Sequence, residues 1–411
     1  MPRLRVLHLI THLAVGGATE PTITICRLLD PRRFEATLLS GLTDAGQQTM
    51  QAQAQAAGVD AQILPSLRRA MRPGADWKAF NDLVSWMGRG RWDVVHTHGS
   101  KAGVLGRLAA ARAGVPIIIH NVHGWGHHGH MSPLVRKFYI FAERRAARVT
   151  DRFVLDATAN RDKGLEDGIG HFAQYVTVYN GIDIPRFRDI TGDRETLRRA
   201  LSIPPDAPVV GTVGRLAAQK APDDFVRMAA LVRKRRPETH FIWVGGGPLE
   251  EQTRAQAHEA GLESCIHLLG HRDDVPQLLR VFDVFVLSSL WEGLPRVFAQ
   301  AMCASLPIVA TQVDGAPEAI VDGDNGYLVP PQNPQLLAER VLALLNDPAQ
   351  CRAMGARGLE QVDPKFNELH MVRRMEELYL ALAREKGLPL SPEPPLDLSE
   401  TLYAASPSVT L

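Results

Sequence analysis

The sequence predicts an α/β protein with two Rossmann-like, doubly wound parallel-sheet domains that face each other across a cleft. Short β-branched runs alternate with longer helical patterns along the whole chain. Runs this apolar are expected for parallel strands that are buried on both faces and joined by crossover helices. There are too many of them for one doubly wound sheet, and turn chemistry interrupts the pattern near the middle of the chain.

The predicted strands form two groups, one in each half of the sequence. The first group is Val6–Ile10, Ala36–Ser40, Val94–His96, Ile117–Asn121, Phe153–Asp156 and Val176–Tyr179. The second group is Val209–Val213, Phe241–Val244, Ile266–Leu269, Val284–Leu287 and Ile308–Ala310. We interpret each group as one sheet.

The boundary between the two domains is expected near residues 185–205. Turn residues occupy 180–185, and a second Pro-rich turn at 202–206 precedes a fresh strand. We therefore predict domains at 1–184 and 185–365, followed by a helix at 366–386. The segment 387–411 is Pro- and Ser-rich with little periodic apolar surface, which predicts disorder.

Composition excludes several classes of protein. The 45% apolar and 22% charged fractions are those of a soluble globular protein, and no apolar run approaches the ~20 residues of a membrane span. Four cysteines, widely spaced, argue against a disulfide framework or a zinc knuckle. The apolar N-terminal stretch is short and broken by His8 and His12, so it predicts a first strand rather than a signal peptide. We expect a cytoplasmic protein, at most peripheral to a membrane.

Charge is unevenly distributed. Residues 1–183 carry 22 Lys and Arg against 15 Asp and Glu, a charge of +7, within a chain whose formal charge is +1. Such a basic half suits an anionic partner such as phosphates or a lipid surface. An ordinary solvated surface explains the same numbers equally well.

Gly16 and Gly17 follow the first predicted strand. Glycines between a strand and a helix let backbone N–H groups approach a phosphate. Most such pairs are only tight turns. The pair is not G-x-G-x-x-G, and no acidic residue is placed to bind a ribose, which argues against a nicotinamide-dependent oxidoreductase.

A second cluster ends the first strand of the second group. Gly214 and Arg215 follow this strand, and Lys220 lies five residues beyond Arg215. Two cations at the carboxyl end of a strand can hold a diphosphate and neutralise it as it departs. The alternative is a pair of solvated surface charges.

The third cluster gives the strongest indication of function in the sequence. It follows the strand Val284–Leu287, and Pro295 suits the first turn of a helix, whose free N–H groups can point at an anion. The residues with predicted roles here are Glu292 in the loop, Gly293, Leu294, Arg296 and Val297 at the helix start, and Gln300 about two turns after the loop.

The chain resembles the retaining GT-B glycosyltransferases of family four, particularly the bacterial capsular-polysaccharide and lipid-linked-glycan branch. The resemblance runs from about residue 6 to 345. It is carried by GGATE (16–20), HTHGSKAGVLGRLAA (96–110), VHGW (122–125), NGID (180–183), VGRLAAQK (213–220), VGGGPLEE (244–251), LGHRDDV (269–275), SSLWEGLPRVFAQAM (288–302) and DGDNGYLVPP (322–331).

The resemblance implies a role for each matching residue. Arg215 and Lys220 hold the donor diphosphate, Glu292 contacts the transferred sugar, and His123 lines the reaction centre. The implied donor-binding set adds Gly16, Gly17, Gly214, Arg272, Gly293, Leu294, Arg296, Val297 and Gln300. The first domain then binds the acceptor and the second binds the nucleotide-sugar donor.

Two positions depart from the family pattern. Gln300 stands where a second glutamate normally accepts hydrogen bonds from the ribose hydroxyls, and an amide accepts at one end and donates at the other. Donor binding then survives with one hydroxyl turned round, or it weakens. Ala221 replaces the glycine that usually follows the lysine, from which we expect ordinary backbone angles at this position.

A dense histidine run invites a metal interpretation. It contains His120, His123, His127, His128 and His130. Zinc sites need fixed spacing on rigid elements and usually include Cys or a carboxylate, so an acceptor-facing loop is favoured. The resembled family uses no metal. We therefore expect no metal and no cofactor.

Residues 131–152 combine apolar and basic side chains, a pattern that suits a helix lying on an anionic membrane. The alternative is a helix packed on its own sheet with a solvated basic face. The apolar members are Leu134, Val135, Phe138, Phe141 and Ala142, and the basic ones are Arg136, Lys137, Arg144, Arg145, Arg148 and Arg152.

The resemblance implies transfer of a hexosyl-type group from a UDP- or GDP-sugar with retention, in synthesis of a cell-surface polysaccharide. The acceptor is expected to be a polyprenyl-diphosphate glycan or another anionic carrier at the inner membrane face, and no nucleic acid is involved. The departing phosphate takes the acceptor proton, so no strong base is needed. A non-catalytic binding subunit, impaired through Gln300, is the alternative.

Overall fold

The computed structural model describes residues 3–14, 16–43, 49–129, 131–190 and 192–392. The chain divides into two compact units. Unit 1 contains the residues up to Gly181 together with those from Glu368 onward, and unit 2 is Ile182–Asn367.

Unit 1 is built on a seven-stranded parallel sheet. Its strands are β1 Leu4–Ile10, β2 Phe34–Ser40, β3 Asp60–Ile63, β4 Val94–His98, β5 Ile117–Val122, β6 Arg152–Leu155 and β7 Tyr175–Thr177. The spatial order is β3-β2-β1-β4-β5-β6-β7. The helices up to the end of β7 are α1 Thr19–Leu28, α2 Gln51–Ala56, α3 Pro73–Gly90, α4 Ser100–Arg112, α5 Pro133–Ala147 and α6 Thr158–Glu166, with a 3₁₀ helix at Phe172–Gln174.

Unit 2 is built on a six-stranded parallel sheet. Its strands are β8 Val209–Val213, β9 His240–Val244, β10 Ile266–Leu268, β11 Val284–Leu287, β12 Ile308–Thr311 and β13 Gly326–Val329, in the order β10-β9-β8-β11-β12-β13. The helices are α7 Ile184–Arg188, α8 Arg194–Ala200, α9 Pro222–Arg235, α10 Glu250–Glu259, α11 Val275–Leu279, α12 Arg296–Cys303, α13 Ala316–Ala319, α14 Pro334–Asn346 and α15 Pro348–Val362, with a 3₁₀ helix at Ala218–Lys220.

Both sheets are doubly wound, which confirms the predicted fold class. In each sheet the chain starts at a central strand, moves to one edge and then crosses back, and every strand pair is parallel. Two edge strands, β3 and β13, were not predicted from the sequence. In β3 only one of the four residues is buried, so this strand lacks the apolar run by which the central strands were recognised.

The C-terminal helix α16, Glu368–Glu385, belongs to unit 1 although it follows unit 2 in the chain. Val372, Met375 and Tyr379 enter the same apolar core as Phe34. The Glu376 carboxylate accepts a hydrogen bond from the backbone N–H of Asp30 at 2.8 Å. The sequence predicted this helix, but its periodicity carries no information about which sheet it packs against.

The chain beyond α16 is described only as far as Pro392. Leu388 and Leu390 pack against the core of unit 1, and the remainder of the predicted tail lies outside the described residues. None of the helices in the described ranges combines the length and apolar character needed to cross a bilayer.

Candidate functional site

Three neighbouring strands of unit 2 end side by side at the carboxyl edge of the sheet. They are β8, β11 and β12, which end at Val213, Leu287 and Thr311. Ligands of doubly wound sheets bind outside this edge, because the loops and helix N-termini converge there. The two motif clusters predicted to bind the donor follow β8 and β11.

Lys220 and Glu292 form an ion pair between these two loops. The Lys220 Nζ contacts Glu292 Oε1, and the two side chains are 15% and 8% exposed. Ser289 Oγ donates to the same carboxylate oxygen at 2.6 Å. Gln219 Nε2 donates to the other oxygen at 3.2 Å. Both oxygens are therefore held, and the carboxylate has one preferred orientation.

Backbone contacts fix the two loops to each other. The Leu290 N–H donates to the Gln219 carbonyl at 2.8 Å, and Ser288 Oγ donates to the Lys220 carbonyl at 2.8 Å. From the third strand, Thr311 Oγ1 donates to the carbonyl of Ser289 at 2.6 Å. Two hydrogen bonds thus tie the loops that carry Lys220 and Glu292 to each other, and a third ties the Glu292 loop to β12, which preorganises the pair.

A third loop also supports Glu292. The Asp314 carboxylate, which follows β12, accepts a hydrogen bond from the Glu292 backbone N–H at 2.6 Å. The Gly315 N–H donates to the carbonyl of Gly293 at 3.0 Å. Sequence reasoning missed Asp314, because the motif pattern gave no reason to link it to the loop after β11.

The expectation of ordinary backbone angles at Ala221 is wrong. Ala221 lies in the left-handed region, with φ 43° and ψ 61°, and it is the N-cap of α9. The turn must reverse there, because Lys220 closes a 3₁₀ helix and Pro222 begins α9. Ser288 Oγ also contacts the Ala221 carbonyl at 3.2 Å. The alanine therefore carries strain that a glycine would avoid.

Gly214 lies next to the Lys220 side chain. A Cβ atom at this position would be 3.3 Å from Lys220 Cε. Its carbonyl accepts a hydrogen bond from the Trp243 indole at 2.7 Å. Arg215, the next residue, is exposed at the same edge of the sheet. The structure therefore brings Gly214, Arg215, Lys220 and Glu292 together in unit 2.

The start of α12 presents the remaining residues of the third cluster. The helix begins at Arg296, so Pro295 is its N-cap rather than a residue of its first turn. Leu294 is buried, and Arg296 and Val297 are half-buried. Gln300 is 9% exposed, and within the described ranges its side chain makes no hydrogen bond. The first N–H groups of a helix lack intrahelical partners, which suits an anion at this end.

Arg272 lies farther along the same edge of the sheet. It follows β10, an edge strand separated from β8 by β9. Its guanidinium forms a bidentate pair with Asp274, with distances of 2.7 and 2.6 Å. The hydrogen bonds from Arg272 lower the pKa of the Asp274 carboxyl. The donor-binding role of Arg272 stays a prediction.

In unit 1, Gly16 and Gly17 lie between β1 and α1. Both are exposed, and a Cβ atom on either would meet nothing within 4 Å. The Gly16 carbonyl accepts a hydrogen bond from the Thr19 N–H at 3.1 Å. The loop therefore lies at the N-terminus of α1, where the sequence predicted it, and its part in donor binding stays a prediction.

His123 is the first residue after β5. Its side chain is 10% exposed, and its Nε2 lies 3.2 Å from His98 Nδ1. On the other side of the ring, the amide nitrogens of Asn121 and Asn180 each lie 3.4 Å from Nδ1. The Asp156 carboxylate is 4.0 Å from the same nitrogen. The imidazole is therefore held between a second histidine and two amides.

The predicted histidine run does not form a cluster of its own. His120 Nδ1 bonds Thr97 Oγ1 at 2.9 Å, and His127 Nε2 bonds Asp167 at 2.8 Å. His130 lies outside the described residues. In the part of the chain that the structure describes, the one group of three side chains spaced to hold a metal is His8, His96 and His98, whose ligand atoms lie within 4.8 Å of one another.

Sequence reasoning missed this group, although a signal was present. His96 and His98 alternate along β4, so they face the same side of the sheet, and His8 is in register with His96 on β1. Burial lowers the pKa of His8 to about 3 and lowers those of His96 and His98 well below the ordinary value. All three imidazoles are therefore neutral.

The predicted basic helix is α5, and four of its large apolar residues are exposed. Leu134, Val135, Phe138 and Phe141 are 80%, 41%, 58% and 68% exposed. The helix packs on unit 1 through another set of residues, namely Ile140, Glu143, Ala146 and Ala147. Lys137, Arg144, Arg145 and Arg148 are also exposed. The helix thus packs on unit 1 with a solvated basic face, as the alternative expects, and it also exposes apolar side chains, so contact of this face with a membrane stays a prediction.

Two family models match the chain. Residues 16–181 match the glycosyl transferase 4-like domain, and residues 193–361 match glycosyl transferases group 1. Together they span most of the chain, and the gap between the matches contains the boundary between units 1 and 2.

Curated relatives match over most of their length. UDP-Gal:alpha-D-GlcNAc-diphosphoundecaprenol alpha-1,3-galactosyltransferase of Escherichia coli is 26% identical over 391 residues, which cover 93% of this chain and 98% of that protein. The putative glycosyltransferase EpsD of Bacillus subtilis is 26% identical over 329 residues, covering 79% of this chain and 85% of that protein.

Solved structures share the fold. The Anabaena Alr3699/HepE structure in complex with UDP-glucose superposes with a TM-score of 0.79 at 23% identity, covering 92% of this chain and all of that chain. WaaG, a glycosyltransferase involved in lipopolysaccharide biosynthesis, superposes with a TM-score of 0.73 at 15% identity, covering 92% of this chain and 99% of that chain.

Proposed function

The chain belongs to the group 1, GT4-like glycosyltransferases of the GT-B fold, and we propose that it transfers a hexosyl group with retention from a UDP-sugar to a lipid-diphosphate-linked glycan. The observation that carries the proposal is the Lys220–Glu292 pair, held by three loops at the carboxyl edge of the sheet in unit 2. The acceptor and the retention of configuration rest on the motif resemblance and on the relatives.

The pair supplies both groups that a donor needs. Lys220 contributes a positive charge beside the N-terminus of α12, where a diphosphate is favoured by the helix dipole. Glu292 contributes fixed carboxylate oxygens that accept hydrogen bonds from sugar hydroxyls. On donor binding, Lys220 exchanges part of its contact with Glu292 for a phosphate oxygen. Arg215 adds a second positive charge, which offsets the negative charge of the departing diphosphate.

Catalysis then consists of positioning and electrostatic stabilisation. The acceptor hydroxyl attacks the face of the sugar from which the diphosphate leaves, and the diphosphate oxygen takes the acceptor proton. Lys220, Arg215 and the α12 N-terminus stabilise the negative charge that develops on the leaving group. These groups supply the charge that a metal ion provides in other transferases, so we propose that no metal or other cofactor is required.

The relatives support the proposed substrate classes. The Escherichia coli relative is named for a UDP-sugar donor and a diphosphoundecaprenol-linked acceptor, and the Anabaena structures contain UDP and UDP-glucose. A lipid-linked acceptor lies in a membrane, and α5 offers a face that suits one. Its exposed aromatic and aliphatic side chains are interleaved with exposed Lys and Arg, the composition of interfacial helices that bind anionic lipid.

Release of nucleoside diphosphate tests the activity. The full chain is incubated with UDP-glucose, UDP-galactose or UDP-N-acetylglucosamine, with and without an undecaprenyl-diphosphate-linked sugar. Transfer to the lipid and an α-linked product by NMR are expected. The Lys220→Ala variant should be nearly inactive, whereas Lys234→Ala, an exposed lysine on α9, serves as the matched control.

Two results would contradict the proposal. Donor binding without hydrolysis or transfer would make the chain a binding subunit, the alternative considered from the sequence. A β-linked product from an α-linked donor would establish inversion instead of retention.

A further inference from the structure

A line of buried rings runs through unit 1 and ends at His123. We call it the histidine array, and its members are His123, His98, His8, Tyr379 and His96. His98 Nδ1 lies 3.2 Å from His123 Nε2, and His98 Nε2 lies 3.0 Å from His8 Nδ1. The Tyr379 hydroxyl lies 2.7 Å from His96 Nδ1 and 3.5 Å from His8 Nε2. Apart from His123, every member is fully buried.

The fully buried imidazoles of the array, His8, His96 and His98, are neutral at physiological pH. Desolvation by burial lowers the pKa of His8 to about 3, and it lowers the pKa values of His96 and His98 well below the ordinary value. A neutral imidazole has one N–H donor and one lone-pair acceptor. Each contact between two rings therefore has a direction, and the direction at one end sets all the others.

The Asn180 amide fixes the direction at the His123 end. Its nitrogen donates to the Asp156 carboxylate at 3.2 Å, which settles which end of the amide is the nitrogen. The same nitrogen faces His123 Nδ1 at 3.4 Å, as does the Asn121 amide nitrogen. A proton on Nδ1 would oppose both donors. His123 Nδ1 is therefore the acceptor, and its proton is on Nε2.

The remaining protons follow in one direction. His123 donates to His98, and His98 then has its proton on Nε2 and donates to His8. His8 directs its Nε2 proton at the Tyr379 oxygen, and the Tyr379 hydroxyl donates to His96 Nδ1. The array ends at His96 Nε2, a buried nitrogen that has no hydrogen-bond partner within the described ranges.

We propose that His98 and Tyr379 are positioning residues, which hold His123 in a single tautomer and a single ring orientation through the histidine array. Tyr379 lies on α16, so the helix that returns from unit 2 completes the array. The inference rests on the proposed function and on the role that the motif resemblance implies for His123, which is to line the reaction centre. With its Nε2 proton committed to His98, His123 donates no proton in the reaction. Its Nδ1 accepts hydrogen bonds from the amide nitrogens of Asn121 and Asn180.

The first test is spectroscopic and needs no loss of function. Two-bond ¹H–¹⁵N correlation spectra of the ¹⁵N-histidine-labelled full chain report the tautomer of each ring. The His123 signals are assigned by their disappearance in His123→Asn. We expect Nε2 protonated and Nδ1 unprotonated in His123. A proton on Nδ1, or rapid exchange between the two tautomers, would overturn the array.

The second test compares two substitutions at His98. The amide oxygen in His98→Asn occupies the position of His98 Nδ1 and accepts from His123, whereas His98→Leu offers no acceptor. With UDP-glucose or UDP-galactose, whichever is turned over, His98→Leu should lower kcat by about tenfold or more with little change in KM, because misplacement of a reacting group by about 1 Å costs up to ~10²-fold. His98→Asn should restore most of kcat and the wild-type tautomer.

A matched control lies in unit 2. His240 Nδ1 and His267 Nε2 form a pair of the same 3.0 Å length, so His267→Leu removes an equivalent contact outside the array. It should leave kcat and the His123 signals unchanged. Tyr379→Phe, which removes one hydroxyl, should broaden the His8 and His96 signals and lower kcat less than His98→Leu. Equal kcat in His98→Leu and His98→Asn would contradict a positioning role.

The failure of this inference is distinguishable from failure of the proposed function. If His123→Ala keeps full turnover, the role of His123 in catalysis is wrong, while the tautomer measurement still reports on the array. If no nucleotide sugar is turned over, the proposed function fails. One equivalent of zinc or copper in the purified protein, lost in His98→Leu, would overturn the array, because the imidazole nitrogens would then be metal ligands.

Discussion

Lys220 lies against Glu292 in unit 2, and each side chain has less than one sixth of its surface exposed. The cation that is proposed to bind the donor diphosphate is therefore neutralised by the carboxylate that is proposed to bind the sugar. A buried ion pair adds little net stability, because desolvation offsets the attraction. Its value here is geometric, since Ser289 and Gln219 hold the carboxylate in one orientation.

Loss of either donor-site cation should abolish most turnover. We expect Lys220→Ala and Arg215→Ala each to lower kcat by about 10²-fold or more, the scale for removing one preorganised stabilising group. Lys220→Ala should also destabilise the protein, because it leaves Glu292 buried without its cation. Steady-state release of nucleoside diphosphate measures kcat, and circular dichroism verifies folding. Wild-type turnover in both variants would refute the diphosphate assignment.

Ala221→Gly should stabilise the protein. A non-glycine residue in the left-handed region costs about 1–2 kcal/mol, and the greater freedom of glycine in the unfolded chain offsets roughly 0.4–1 kcal/mol of that gain. We expect a net increase of about 0.5–1 kcal/mol in the free energy of unfolding, measured by urea titration. Ala217→Gly is the matched control, since Ala217 has extended angles of φ −141° and ψ 160° and should lose stability on substitution. A decrease for Ala221→Gly would show that the angle is unstrained.

The fold was predictable from the sequence because central strands of parallel sheets are apolar on both faces. β8, for example, was predicted with its observed bounds, Val209–Val213. Edge strands lack this signal. β13 was missed for that reason, since two of its four residues are only half-buried.

The candidate site was predictable only where one motif contains its residues. Lys220 and Glu292 were each recognised, but neither motif shows that their side chains meet. Asp314 and Tyr379 were missed because their contacts join residues 22 and 283 positions apart. Ala221 was misjudged because a residue type constrains the backbone less strongly than the neighbouring turn and helix do.

Gln300→Glu should tighten binding of the nucleoside diphosphate. Hydrogen bonds to a carboxylate are roughly twice as strong as those to an amide, so we expect a gain of about 1 kcal/mol, or several-fold in Kd. The maximal rate should change little, because the ribose is remote from the bond that breaks. The unliganded variant should be less stable, because position 300 is only 9% exposed and burial penalises a charge.

Calorimetric titration of both proteins with UDP checks this prediction. Gln300→Ala provides the baseline without a polar group at this position. Weaker UDP binding by Gln300→Glu than by wild type would show that the ribose assignment, or its energetics, is wrong.

The exposed face of α5 should bind anionic bilayers. The full chain should co-sediment with vesicles containing phosphatidylglycerol and dissociate at high salt, because screening weakens the attraction of exposed charges. Phe138→Ser with Phe141→Ser should reduce binding several-fold, since both rings are more than half exposed. Phe172→Ser is the matched control, because Phe172 is 66% exposed on a different element of unit 1. Equal binding to neutral and anionic vesicles would leave α5 as ordinary surface.

Acid should destabilise the protein through its buried histidines. Burial lowers the pKa of His8 to about 3 in the folded state, from 6.5 in the unfolded chain, and it shifts His96, His98 and His120 in the same direction. Below pH 6.5 the unfolded chain therefore binds more protons than the folded chain does. The stabilisation is complete above pH 6.5 and is lost as the pH falls toward 3.

The free energy of unfolding is expected to depend steeply on pH, because several buried histidines contribute together. As the pH falls over that interval, each such histidine lowers the free energy of unfolding by up to about 1.4 kcal/mol per pH unit. In urea titrations from pH 8 to pH 5, the free energy of unfolding should be nearly constant above pH 7 and should decline steeply below pH 6. His8→Phe should reduce the slope of the free energy of unfolding against pH by the contribution of one proton, whatever its effect on stability at pH 8. A slope that His8→Phe leaves unchanged would mean that His8 is already protonated in the folded protein.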